Sequence, residues 1–285
     1  MMTYRLPSDL ELKEITLKVE NLAEMVSFYT TIIGLSLIKQ TDNLAFLGIK
    51  ESTIPLLILN KIERPINKMK TAGLYHIAFL LPTRKDLGNS LLWLLQNKIE
   101  IGAGEHGYSE ALYLSDPEGN GIEIYRDRPI EEWDIRSNGD IIGVVEELDS
   151  EGIMATADGH WSGFPEGTKI GHVHFQVSDL EASDRFFKDL GFSLKANFGK
   201  QAKFFAAGDY HHHIGANTWA GRKLPKMDKN QLGIDAYVFE LPDKNAYVNF
   251  KAHLDLLAIA YKIETENRLE IEDPNGITAI FTAKK

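Results

Sequence analysis

Apolar and polar residues alternate along four stretches, Ile15 to Val19, Leu74 to Leu81, His172 to Val177 and Ile234 to Leu241. Period-two alternation predicts strands with one buried face. Each stretch leads into a helical pattern. Two of these helices span Lys85 to Gln96 and Asn245 to Ala258, and the other two carry Phe28-Tyr29 and Phe186-Phe187 on their apolar faces. The order then repeats: Asn21-Leu22, Phe28-Tyr29 and Gly34-Leu35 correspond to Asp179-Leu180, Phe186-Phe187 and Gly191-Phe192. Short strands follow every helix, and in the second and fourth copies they close around Asp-Pro turns, at Asp116-Pro117 and Asp273-Pro274. The chain therefore reads as four βαβββ modules, at about 12–60, 73–128, 169–221 and 232–283, an α+β architecture. Residues 1–128 hold the first two modules and 169–285 the last two, and the charged, Gly-rich stretch 129–168 is expected to link them.

Within the second module, residues 111–115 and 121–125 predict a hairpin around Asp-Pro-Glu-Gly-Asn. Alternation puts Ile122 and Ile124 on one face and Glu123 on the other. A carboxylate in so apolar a strand costs stability unless it is paired or bound to a metal. Upstream lie Gly104, His106, Leu112 and Tyr113, so an imidazole, a phenol and a carboxylate surround one turn at fixed intervals.

Composition narrows the chemistry. The 285 residues include no cysteine, which excludes disulfides and thiolate ligands and leaves a metal to His and carboxylates. Nine histidines make that feasible. A net charge of −10 without Lys/Arg clusters argues against nucleic acid. The apolar runs are too short to span a membrane, and Met1 to Asp9 lacks the pattern of a secretory signal, so a cytoplasmic protein is expected. A small molecule is the expected partner, and a homo-oligomer stays open.

The repeats and the run from Gly104 to Glu123 resemble the vicinal oxygen chelate (glyoxalase/bleomycin resistance/extradiol dioxygenase) superfamily. The run itself is similar to the signature of type I extradiol catechol 2,3-dioxygenases. The resemblance covers nearly the whole chain and implies two half-open eight-stranded barrels, each made of two modules, with a metal on a concave face. First-strand ligands, counted seven residues before Asn21, Thr83, Asp179 and Asp243, fall at Glu14, His76, His172 and Ala236. The last-strand ligand falls at Glu123 in module two and at Ile280, a residue without a donor, in module four. If modules one and two pair, Glu14, His76 and Glu123 meet as a glyoxalase-like set for Zn, Ni or Mn and for lyase or isomerase chemistry. If two pairs with three, and one with four, then His76, His172 and Glu123 form the two-histidine, one-carboxylate triad of non-haem Fe(II) oxygenases. The second pairing is preferred because it uses both histidines.

The family's His-rich strand aligns with Tyr210, His211, His212, His213, Ile214 and Gly215. In the extradiol enzymes one such His serves as acid/base. His212 is the first choice here, with His211 and His213 as alternatives that could touch substrate or metal, since one residue of register reverses the face. Tyr113 and His106 would position the ring and its oxygens; their bland readings are a strand aromatic and a solvent-facing loop residue. His174 shares a face with His172 and is either a substrate contact or a structural hydrogen-bonding residue. The implied reaction is aromatic catabolism: a catechol and O2 meet at Fe(II), and the ring opens beside the diol to a muconic semialdehyde. Two neutral histidines and one carboxylate leave Fe(II) one positive charge, which a catecholate monoanion neutralises. A binding protein that holds a planar ligand without chemistry is a further alternative, although such a cleft has no need of Glu123.

Overall fold

The computed structural model describes residues 4–66 and 70–284; the first three residues of the stretch read for a secretory signal lie outside them. Module one comprises β1 (Glu11–Val19), α1 (Leu22–Phe28), β2 (Ser36–Gln40), β3 (Leu44–Gly48) and β4 (Pro55–Lys61). Module two comprises β5 (Gly73–Leu80), α2 (Arg84–Gln96), β6 (Gly102–Glu105), β7 (Ser109–Ser115) and β8 (Gly121–Asp127). The connection carries β9 (Asp134–Ile135), β10 (Ile141–Ile142) and α3 (Ser150–Thr156). Module three follows with β11 (Lys169–Gln176), α4 (Leu180–Asp189), β12 (Ser193–Phe198), β13 (Ala202–Ala206) and β14 (Ile214–Asn217). Module four has β15 (Gly233–Leu241), α5 (Lys244–Leu256), β16 (Lys262–Thr265), β17 (Arg268–Glu272) and β18 (Thr278–Ala283).

The helices begin where the sequence supplies caps. Asn21, Thr83, Asp179 and Asp243 each accept a hydrogen bond from a first-turn backbone N–H, satisfying a donor that the helix leaves unpaired. The capping positions recur at the same place in all four modules, as the repeat requires.

Strand pairing is nested. One eight-stranded sheet runs β12-β13-β14-β11-β5-β8-β7-β6, joining modules three and two, and the other runs β16-β17-β18-β15-β1-β4-β3-β2, joining four and one. At both seams first strands meet antiparallel, β5 with β11 and β1 with β15. The apolar faces of the two sheets turn toward each other and toward the helices, and their side chains form one continuous core. Phe175 of one sheet packs on Tyr237 of the other at 5.1 Å between ring centroids. The opposite face of the first sheet is left to line a cleft.

A bulge at the β5–β11 seam decides which side chains enter that cleft. In β11, Ile170 pairs with Phe79 and His172 with Ala78, so Gly171 is an extra residue that breaks the alternation. Ile170 consequently joins the core while His172, two residues on, faces the cleft. Gly171 must also be small, because a Cβ there would overlap the Tyr125 hydroxyl at 1.7 Å. The corresponding shift in β1 separates Leu12 from Glu14.

The stretch 129–168 is more than a tether. Leu148, Ile153 and Phe164 are buried in the common core, and Trp161 stacks on Trp93 of α2 at 5.6 Å. Two of its acids pair with bases of α2, Asp149 with Arg84 and Asp158 with Lys85. Among the described residues no helix is long and apolar enough to cross a membrane.

Both Asp-Pro turns are built alike. Asp116 accepts from the backbone N–H of Glu118 and Asn120 and from the Tyr29 hydroxyl, and Asp273 accepts from those of Asn275 and Ile277. Burial pushes the Asp273 carboxyl up to about 6, against the pull of these donors. An acid whose folded pKa lies above its unfolded value loses protons first in the unfolded chain, so its contribution to stability falls as pH rises through that interval. Unfolding midpoints in urea should therefore decline in this component between about pH 4 and 6. Asp273→Asn should flatten that part of the profile; an unchanged slope would show that Asp273 does not titrate there.

Candidate metal centre

Strand register brings the centre together. In one row across the sheet stand Tyr113, Glu123, Ala78 and His172, on β7, β8, β5 and β11. The next row holds Gly121, His76, His174 and Gly215. Ala78 carries only a methyl group, which leaves open the space between Glu123 and His172. His76 leans into that space from the neighbouring row.

Three donor atoms meet there. His76 Nε2 and His172 Nε2 lie 3.0 and 3.1 Å from Glu123 Oε2 and 3.3 Å from each other. All three residues are buried. A cation bonded to each atom at about 2.1 Å, with bond angles near 90°, would hold such donors about 3.0 Å apart. The triangle thus has the edges of one face of an octahedron, and the residues fit a divalent metal. Electrostatics favour the same state. Burial alone would raise the Glu123 carboxyl, but His172 and His76 hold it well below the usual carboxylate range. Burial drives His172 down to about 4 against the pull of Glu123. An ionised carboxylate beside a neutral imidazole is the form that accepts a metal.

The other expected residues surround this triangle. His106 Nδ1 is 3.1 Å from the Val144 carbonyl and must donate to it, so Nε2 accepts from the Tyr113 hydroxyl at 2.6 Å. Burial and the nearby Glu123 charge raise Tyr113 well above its ordinary value, so the phenol keeps its proton. His174 lines the cleft, with Nε2 3.1 Å from Asn217 Nδ2. Because Asn217 Oδ1 already accepts from the Trp219 N–H, the amide must donate to His174, whose hydrogen therefore sits on Nδ1. Gly215 lets that ring lie flat against the sheet, since a Cβ there would meet it at 2.7 Å.

The three consecutive histidines part company. His212 faces the cleft, its ring 4.1 Å from that of His172, and burial drives its pKa well below the ordinary range. His211 turns instead to Asp127, with Nε2 2.9 Å from Oδ1, and stacks on Tyr108. His213 accepts from the Ala207 N–H on the far side. Neither His211 nor His213 lines the cleft. Glu14 lies in the other sheet, opposite Val238, so it cannot join His76 and Glu123, and the glyoxalase-like set of Glu14, His76 and Glu123 does not assemble.

Above the triangle opens a cavity of about 410 Å³. Tyr75, Phe198, Phe204 and Trp219 form much of its wall, and among the described residues no Lys or Arg lines it. Gly143, Val144 and Val145 supply another part from the connection between the halves. Spacing arguments missed these three. Backbone bonds between Glu105 and Glu146 dock this strip against β6. Arg128 on Glu105, and Arg84 bridging the buried Glu110 to Asp149, tie down its flanks. The charge density of the segment was the available signal: three of its acids, Glu132, Asp149 and Asp158, pair with bases of module two.

A family model for the glyoxalase/bleomycin resistance protein/dioxygenase superfamily matches residues 11–124. The catechol-2,3-dioxygenase of Bacillus subtilis (strain 168) is 41% identical over 271 residues, spanning 90% of this chain and 92% of that protein. Among solved structures, one ascribed to a dioxygenase from Bacillus subtilis subsp. subtilis str. 168 superposes with a TM-score of 0.65 at 13% identity, over 98% of this chain and 86% of that one. Glyoxalase I from Zea mays gives 0.56 at 14%, over 96% and 92%. At such identities the structural likeness is one of fold. The chain belongs to the glyoxalase/bleomycin resistance protein/dioxygenase superfamily. Within it, the protein is an enzyme of the extradiol dioxygenase kind.

Removing one donor should open the triangle. His172→Ala is expected to abolish tight binding of a divalent ion and the rise in Tm that the ion produces in the unaltered chain. Glu14→Gln should bind as the parent does. Metal analysis after dialysis and a thermal melt read both, and full occupancy in His172→Ala would refute this centre.

Proposed function

We propose that the enzyme opens the ring of catechol or a substituted catechol beside its diol, using Fe(II) held by His76, His172 and Glu123 and consuming O2. The observation that carries this reading is the buried triangle of two imidazole nitrogens and one carboxylate oxygen at the floor of an apolar cavity. Fe(II), when bound, supplies a centre that can hold both oxygens of the diol next to O2 and pass electrons between them.

The chain's own residues account for the rest. The ring would lie against the aromatic side chains of Phe204, Trp219 and Tyr75 that line the cavity. Tyr113 gives its hydrogen to His106, so its oxygen turns lone pairs outward and can accept from a ring hydroxyl. His106 is in turn held by Val144, which makes the 143–145 strip part of the positioning apparatus. His212, largely unprotonated at neutral pH because it is buried, is suited to take a proton from the diol and return it after oxygen has added.

Protein purified without oxygen and reconstituted with Fe(II) should take up O2 on addition of catechol and yield the yellow ring-opened product. Turnover without O2, or with the iron removed, would overturn this assignment. His212→Phe should keep its iron and lose about a hundred-fold or more in kcat; an unaltered rate would move the proton-handling role elsewhere.

A further inference from the structure

Asp127, His211 and His212 form a chain that ends at the cavity. Asp127 lies four residues beyond Glu123 on β8 and shares its face. Its Oδ1 is 2.9 Å from His211 Nε2, and His211 Nδ1 is 2.7 Å from His212 Nδ1. A carboxylate only accepts, so the hydrogen on His211 Nε2 points at Asp127. A neutral imidazole has one N–H, and His211 has thereby used it. Its Nδ1 is a lone pair, and His212 Nδ1 must be the donor across the 2.7 Å contact. His212 Nε2 then carries the free lone pair. With Nδ1 engaged, Nε2 is the ring nitrogen left to the cavity that His212 lines.

We propose that Asp127, acting through His211, is a positioning residue that fixes His212 as the Nδ1–H tautomer with its Nε2 lone pair presented to substrate. The proposal rests on the reading of His212 as the proton acceptor and adds the groups that make it one. The opposite tautomer would require a hydrogen on both nitrogens of His211. In the proposed state the proton leaves a ring hydroxyl for His212 Nε2. The positive charge so formed is shared along the His212 N–H to His211 and the His211 N–H to Asp127, and the proton returns by the same atom. Asp127 is itself held: the Tyr210 hydroxyl donates to its Oδ1 at 3.4 Å and lies 2.7 Å from the Tyr125 hydroxyl. An aspartate that orders a catalytic imidazole's tautomer without taking its proton is chemically well precedented.

Nitrogen-15 NMR of the histidine-labelled full chain, with Zn(II) as a diamagnetic ion, reads the tautomer directly, and the spectrum of His212→Phe assigns the signal. The expected result is His212 with hydrogen on Nδ1 and none on Nε2, shifting toward the other tautomer in Asp127→Asn. In the Fe(II) enzyme, Asp127→Asn should lower kcat at least about ten-fold with metal content and KM little changed, and Asp127→Glu should recover most of the loss. Hydrogen on His212 Nε2 in the unaltered protein would overturn the proposal. So would a rise in KM at constant kcat, which marks a role in seating the substrate alone. The tautomer measurement needs no turnover, so it stands even if ring cleavage itself is not the reaction.

Discussion

Everything at the metal centre depends on the antiparallel pairing of β5 with β11. That seam sets Ala78 opposite His172 and His76 opposite His174, and the parallel pairing of β8 with β5 sets Glu123 on the far side of Ala78. A slip of one residue along the seam would turn every one of these side chains to the other face. What prevents the slip is the core behind it, where Ile77, Phe79, Val173 and Phe175 are fully buried. Hydrophobic burial on one face of the sheet therefore holds register on the other. Three polar side chains can crowd within bonding distance of one cation because apolar ones lock the backbone beneath them.

Around that fixed floor the site separates its tasks by chemical environment. The triangle is buried and polar, the walls are aromatic, and the edges, where proton handling is proposed, carry hydrogen-bond chains that lead away into the protein. Tyr113 is ordered through His106 by a backbone carbonyl, and His174 through Asn217 by a backbone N–H. In each case a group of unambiguous donor or acceptor character determines the orientation of one that could serve as either. The cleft is thus polarised in advance by neutral groups around the Glu123 carboxylate.

Much of this could be read from the chain. The repeated caps at Asn21, Thr83, Asp179 and Asp243 marked equivalent positions, and counting back from them brought His76 and His172 forward as partners for Glu123. The nested pairing followed from asking which modules supply a donor, and the strand order of the two sheets agrees with it. The bulge at Gly171 was hidden, because alternation alone would put Ile170 and His172 on one face. The wall at Gly143 to Val145 was hidden for a different reason: the strip is docked by backbone hydrogen bonds and an ion pair to residues roughly 40 to 65 positions away, which spacing along the chain does not reveal. Asp127 lay in view, but its link to His211 spans 84 positions and exists only once β8 and the loop before β14 are neighbours.

The nested strand order also imposes a sequence of events on the growing chain. β1 is made early, yet its seam partner β15 lies in module four, so the outer sheet cannot close until β15 to β18 exist. The inner sheet is complete in its strands once β14 has emerged. The half that gathers the candidate metal donors can therefore assemble first, while module one waits with an open strand edge for module four.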